Sequence, residues 1–259
     1  MMEQNTAKQH KGTIVLIHGN SSSSEIFKAT TESDLIPYNK IAIDLLGHGN
    51  NQPESLNQEE HFSIVAYKKD ILKQLEHIED DVLLVGNSLG GHIAIEIASQ
   101  IKNLKGLVIF GTPPLKKPLN FDEGFLPVEE LQTFFKEDPS HSEIETTINA
   151  IVNNKEASSL LISDFKKSNP LVRKAIANDA ANSNFSNEFD YFTTTKTPKY
   201  IIAGDHDISI NLNYLKEITA LCNGNCELIT FENCGHYPSI EQPEKFNNTI
   251  NKIATQLFN

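Results

Sequence analysis

The stretch "LLVGNSLGGH", residues 83–92, runs an apolar segment into Gly86, then Asn87, Ser88 and Leu89, then two more glycines. The residues before it, "DVLLVGN" from 81, have the apolar, β-branched character of a buried strand, and those from Leu89 to Ile101 carry a helical pattern. Ser88 therefore occupies the turn between a strand and a helix. Such a turn forces strained backbone angles and brings neighbouring main chains close together, so it requires glycine at 86 and 90, two residues to either side of the serine. It also lifts the hydroxyl clear of the sheet, while the helix N-terminus behind it offers unpaired N–H groups to a developing negative charge.

Outward from this turn the chain alternates short apolar runs with longer amphipathic segments, the signal for crossover units and a mainly parallel sheet. Strand-like runs are "TIVLIHG" from 13, "KIAIDL" from 40, "DVLLVGN" from 81, "GLVIFGT" from 106, "PKYIIAG" from 198 and "CELITF" from 226. Most are apolar on both faces, as a sheet covered by helices on each side requires. Helices are expected over 63–78, with Val65, Ile71, Leu72, Leu75 and Ile78 on one stripe and Ser63 as N-cap, and over 89–101, 212–221 and 243–257. Between about Thr112 and Thr194 the alternation stops and only helix-like stretches remain. This predicts an α/β core of residues 1–111 and 195–259, with 112–194 inserted as a helical lid over the sheet's edge.

Composition narrows the function classes. The 259 residues are within the range of one α/β domain with an insertion. Against 34 acidic residues stand 22 lysines and arginines, a net charge of −12, which repels phosphate backbones and anionic membranes. No nucleic-acid or membrane partner is expected. The polar N-terminus "MMEQNTAKQHKG" lacks the apolar stretch of a signal peptide, and no run approaches the ~18–20 apolar residues of a membrane span, so a cytoplasmic protein is the expectation. Cys222, Cys226 and Cys234 have no CxxC partner pair and read as reduced thiols.

A serine hydroxyl is a poor nucleophile near neutrality and needs a base that is itself held by an acid. "CGHYPSIEQPEKF" puts His236 shortly after the last strand, and "IIAGDHDISI" puts Asp205 and Asp207 just after the strand before it. The order Ser88, Asp207, His236 is the one expected of groups that converge at the C-terminal rim of such a sheet. Acyl transfer also needs donors for the oxyanion: the backbone N–H of Leu89, after the nucleophile, and that of Asn20, in the loop "IHGNSSSSEIF". His18 and His48, in glycine-bounded turns, read as loop-orienting residues, and His92, one helical turn beyond Ser88, reads as a surface or packing residue with a place facing the substrate as the alternative. His206 lies between two aspartates without a second ligand cluster, so no metal is assigned.

Five motifs in order, "LIHGN", "DLLGHG" at 44–49, "GNSLGG" at 86–91, "GDHD" at 204–207 and "GHYPSIEQPEKF" from 235, resemble the α/β-hydrolase superfamily over essentially the whole chain. The resemblance implies Ser88 as nucleophile, His236 as general base and then acid, and Asp207 as the orienting carboxylate, with Asp205 second. "HGN" is similar to the oxyanion loop of haloalkane dehalogenases. Those enzymes, like the similar epoxide hydrolases, use an aspartate where Ser88 stands, and the dehalogenases need tryptophans that this chain does not contain. "HGNSSSS", "SLGGH" and "FGTPP" look most like small lidded esterases and lactonases, including N-acylhomoserine lactone lactonases. Asn50 replaces the serine that the family carries after "GHG". The expected function is cofactor-free hydrolysis of a small-molecule ester or lactone. Phe121, Phe125, Leu126, Phe134 and Phe135 of the lid suit an apolar acyl chain or ring. The alternatives are a small-molecule receptor of the same fold with little turnover, and a serine peptidase whose lid acids Glu129, Glu130, Asp138 and Glu143 would hold a substrate amine.

Overall fold

The computed structural model describes residues 12–259. The N-terminal stretch on which the expectation of no signal peptide rests lies, up to residue 11, outside them. Six strands form one wholly parallel sheet: β1 (Thr13–Ile17), β2 (Asn39–Ile43), β3 (Val82–Asn87), β4 (Leu104–Phe110), β5 (Lys199–Gly204) and β6 (Cys226–Phe231). Their order is β2-β1-β3-β4-β5-β6. All six lie where the apolar runs fall, to within two residues. The alternating apolar residues of the inner strands feed two cores. Val15, Ile17, Leu84, Leu107 and Ile109 face one, and Ile14, Leu16, Leu83, Val85, Val108 and Phe110 face the other.

Among the described residues, eight α-helices of seven residues or more accompany the sheet: α1 (Ile64–Leu75), α2 (Leu89–Ile97), α3 (His141–Ile151), α4 (Lys155–Lys167), α5 (Leu171–Ala181), α6 (Glu188–Thr194), α7 (Leu212–Leu221) and α8 (Pro243–Phe258), with a 3-10 helix over Glu129–Phe135. Ser63 caps α1, its hydroxyl accepting the Ala66 N–H. The buried stripe of α1 is Ile64, Tyr67, Ile71 and Leu75, whereas Val65 is 62 % exposed. The sequence pattern misplaced Val65 because Tyr67, amphipathic by composition, is the inward residue of the first turn. Residue 65 then lies about 100° round from Ile64 and faces solvent.

Between β4 and β5 the described chain forms no strand of the sheet. Its helices join both cores. Ile144, Ile148, Ile151, Leu161 and Phe165 pack with the group around Val85, while Val172, Ile176, Phe185 and Phe192 pack with the group around Leu84. The chain leaves β1 in one direction for β2 and returns on the other side for β3, which makes the crevice between the carboxyl ends of β1 and β3 a topological switch point. Asn20 follows one of these strands and Ser88 the other.

Candidate active site

Ser88 caps α2 with φ 49° and ψ −120°, a left-handed backbone conformation that costs a non-glycine residue energy and persists only where its surroundings enforce it. The enforcement is visible on both sides. The Ser88 N–H donates to Phe110 O at 2.9 Å, and its carbonyl accepts the Thr112 hydroxyl at 2.9 Å. A Cβ at Gly86 would meet the backbone of Gly90 and Gly91, and one at Gly90 would run into the carbonyl oxygens of Ile17 and His18. Glycine at these two positions is thus dictated by the approach of α2 to β1 and β3.

His236 follows β6 on a loop whose backbone is tied down by its own N–H to Ile151 O at 2.8 Å. Its Nδ1 is 2.7 Å from Asp207 Oδ2. Asp207 Oδ1 in turn accepts the Ser209 N–H at 3.0 Å and the Ser209 hydroxyl at 2.5 Å, and that hydroxyl lies 3.1 Å from the same Nδ1. The neutral imidazole therefore carries its proton on Nδ1 and leaves Nε2 as the acceptor. Burial pulls the His236 pKa down, but the charge and hydrogen bond of Asp207, with Glu241 beyond, outweigh it and leave the group above the usual 6.5. Asp205 is directed elsewhere: its carboxylate accepts the Cys234 N–H at 3.4 Å and lies 4.0 Å from His206.

Ser88, Leu89, His236 and Asn20 line one cavity of about 820 Å³, together with Phe121, Phe125, Leu126, Phe134 and Phe135. Ser88 and His236 share this space without a hydrogen bond between them. Neither the Leu89 nor the Asn20 backbone N–H has an acceptor among the described residues, so both remain available to an oxyanion. The side-chain amide of Asn20 is otherwise engaged, donating to Phe134 O at 2.8 Å. Of the four acids weighed for a substrate amine only Glu129 lines the cavity, and Glu143 instead caps α3 and pairs with Lys136.

His18 and His48 do orient loops. His18 Nδ1 donates to Gly19 O at 2.7 Å and Nε2 accepts the Leu45 N–H at 3.0 Å, while His48 Nε2 accepts the Ser21 N–H at 3.0 Å and Nδ1 donates to Leu46 O. Burial holds both below the usual imidazole range, His18 at about 4, so both are neutral braces. His92 packs its ring against Phe125 and Phe185 and also faces the cavity. It is buried, lines the cavity, and pairs through Nδ1 with Glu188 Oε2 at 2.8 Å. Burial raises the Glu188 carboxyl pKa. No local pattern signals this pair, since its members are 96 residues apart and meet only when α6 packs on α2. Ser209 was legible in principle, because a serine two residues after an aspartate closes an Asx-type turn on it.

The chain matches the model of the alpha/beta hydrolase family over residues 14–249. A curated relative, the 2-hydroxy-6-oxononadienedioate/2-hydroxy-6-oxononatrienedioate hydrolase of Paraburkholderia xenovorans, is 25 % identical over 96 % of this chain and 89 % of its own length. Among solved structures, an N-acyl homoserine lactonase in complex with N-hexanoyl homoserine lactone superposes with a TM-score of 0.84 at 23 % identity, covering 97 % of this chain and 93 % of that one. A thermophilic esterase from Thermogutta terrifontis gives 0.76 at 18 % identity, covering 95 % and 90 %. These structural neighbours share the parallel sheet and the helices that flank it. With its family model matched across nine-tenths of its length and the strand order and serine turn described above, the chain belongs to the alpha/beta hydrolase family.

Proposed function

We propose that the protein is a serine hydrolase that cleaves an uncharged carboxylic ester or lactone with an apolar acyl part, an N-acylhomoserine lactone being the candidate substrate. The observation that carries the reading is the meeting, on one apolar cavity, of a serine held at positive φ, a histidine paired with Asp207, and two unspent backbone N–H groups.

The Ser88 oxygen attacks the substrate carbonyl carbon as His236 Nε2 takes its proton. The carbonyl oxygen becomes an oxyanion received by the N–H groups of Asn20 and Leu89. Collapse expels the alkoxide, which takes the proton back from His236 and, in a lactone, stays tethered to the acyl group as its hydroxyl. Water, deprotonated by the same imidazole, then attacks the acyl-enzyme and releases the acid and free Ser88. Asp207 keeps the proton on Nδ1 and stabilises the imidazolium throughout. The segment between β4 and β5 acts as the lid, its phenylalanines receiving the acyl part and excluding water.

Among the described residues the cavity lining includes Asp122 and Glu129 but no lysine or arginine, so it repels a carboxylate-bearing substrate of the kind named for the curated relative. The test is labelling with a fluorophosphonate probe, adduct mapping by mass spectrometry, and a panel of p-nitrophenyl esters, acylhomoserine lactones and aminoacyl amides. Labelling at Ser88 with ester or lactone turnover, both lost in Ser88→Ala with the fold retained, is the expected result. Turnover of amides alone makes the protein a peptidase, and tight ligand binding without labelling makes it a receptor.

A further inference from the structure

The loop carrying Asn20 is fastened to the β4–β5 segment at three points. Asn20 Nδ2 donates to Phe134 O, the Ser23 hydroxyl donates to Asp164 Oδ2 of α4 at 2.6 Å, and Arg173 of α5 reaches Ser21 Oγ with Nη1 at 3.4 Å. The last contact is the unusual one. Arg173 is 4 % exposed, yet among the described residues no carboxylate oxygen lies within salt-bridge distance of it. Two more of its five N–H donors go to consecutive carbonyls, Nε to Lys136 O and Nη2 to Glu137 O, both at 2.7 Å, and its guanidinium lies 4.6 Å from the centre of the Phe165 ring. Burial lowers its pKa to about 10, against the charges of Asp138 and Glu137, which raise it.

An unpaired buried cation is a costly way to seat a helix that an apolar residue would seat as well. What a guanidinium supplies, and leucine or lysine does not, is a rigid fork that fixes oxygens from separate segments relative to one another. Here the fork closes a ring: from α5 to the carbonyls of 136 and 137, along the turn to Phe134, across to Asn20, and back through Ser21. The Ser21 hydroxyl donates to Asn20 Oδ1 at 3.2 Å and so receives Arg173 as acceptor. Ser21 itself is held at φ 55°. Ile176, Ala177 and Ala180 of the same helix line the cavity, while Arg173 stands behind its wall.

We propose that Arg173 is a positioning residue that couples the inserted segment to the oxyanion-binding loop, setting the Asn20 N–H in place only when the 3-10 helix Glu129–Phe135, with the two residues after it, and α5 are seated on the core. The proposal rests on the serine-hydrolase reading above, in which that N–H receives the oxyanion. A displaced donor is felt in the transition state and not in ground-state binding, so its loss lowers kcat and leaves KM nearly unchanged.

The experiment measures kcat and KM on a p-nitrophenyl ester, the rate of fluorophosphonate labelling, and the affinity of a boronic acid that mimics the tetrahedral intermediate. It compares wild type with Arg173→Met, Arg173→Lys and Ser21→Ala. A donor misplaced by about 1 Å costs on the order of 100-fold, so Arg173→Met is expected to lose ~10–100-fold in kcat, with labelling rate and boronate affinity falling in parallel. Arg173→Lys, which keeps the charge without the fork, restores only a fraction, and Ser21→Ala reproduces the loss in milder form. Should Arg173→Met fail to fold, Ser21→Ala carries the test alone. Unchanged kcat per labelled site in the folded variants, with only a lowered melting temperature, overturns the coupling and leaves Arg173 a packing residue. A wild-type protein that the probe does not label overturns the reading of Ser88 beneath it.

Discussion

Asp207→Asn removes a single charge from the candidate site and should act through the tautomer of His236. In the wild type Asp207 Oδ1 is occupied by the Ser209 N–H and hydroxyl, and Oδ2 faces His236 Nδ1. An asparagine keeps its oxygen on the Ser209 side, where two donors hold it, and therefore turns its NH₂ toward Nδ1. The imidazole must then accept at Nδ1 and carry its proton on Nε2, where it cannot take the Ser88 proton. The equivalent exchange in a Ser-His-Asp triad lowers kcat about 10⁴-fold, or ~5.5 kcal/mol of barrier. The pH profile should change as well. In the wild type the base limb of kcat/KM has its midpoint above 6.5, because Asp207 and Glu241 overcome the burial that opposes protonation. Without the Asp207 charge burial prevails, and the midpoint of the residual activity drops below 6.5. The assay is ester hydrolysis from pH 4 to 9, with circular dichroism to verify the fold. A variant retaining more than about a tenth of wild-type kcat, or a larger loss in Asp205→Asn, would falsify the assignment of the acid.

Two further predictions concern stability. Gly90→Ala places a Cβ against the carbonyls of Ile17 and His18, which cannot yield without parting α2 from β1, and should cost about 1–3 kcal/mol in urea unfolding with a still larger loss of activity, because Ser88 moves with the helix. His18, held at about 4 by burial against 6.5 when unfolded, contributes stability that is whole above pH 6.5 and lost as the pH falls toward 4. That gap corresponds to about 3 kcal/mol, read as a falling urea midpoint on acidification that is shallower in His18→Asn.

How legible the molecule was in its sequence differs from element to element. The serine turn was readable because its constraint is local: a strand, a residue at positive φ and a helix within ten positions leave glycine as the sole residue able to stand at 86 and 90. The inner strands were readable because burial on both faces leaves nearly unbroken apolar runs, while the half-exposed edge strands β2 and β6 show it more weakly. The α1 stripe was partly misread, since periodicity alone does not say which of two adjacent apolar residues points inward. His236 and Asp207 could be placed at strand ends, and the resemblance already put Asp207 ahead of Asp205, but their 2.7 Å contact depends on how two loops cross.

What the sequence by itself determined, then, was the order of secondary elements and the residue types brought to the carboxyl edge of the sheet, because short-range sterics and hydrophobic burial act on neighbours along the chain. The tertiary structure alone decided that His92 meets Glu188, that Ser209 braces Asp207, and that the buried Arg173 reaches the loop carrying Asn20. Those contacts join residues far apart in the chain through single polar atoms. A hydrogen bond of that kind leaves no periodicity behind, and exists only once packing has brought donor and acceptor within about 3 Å.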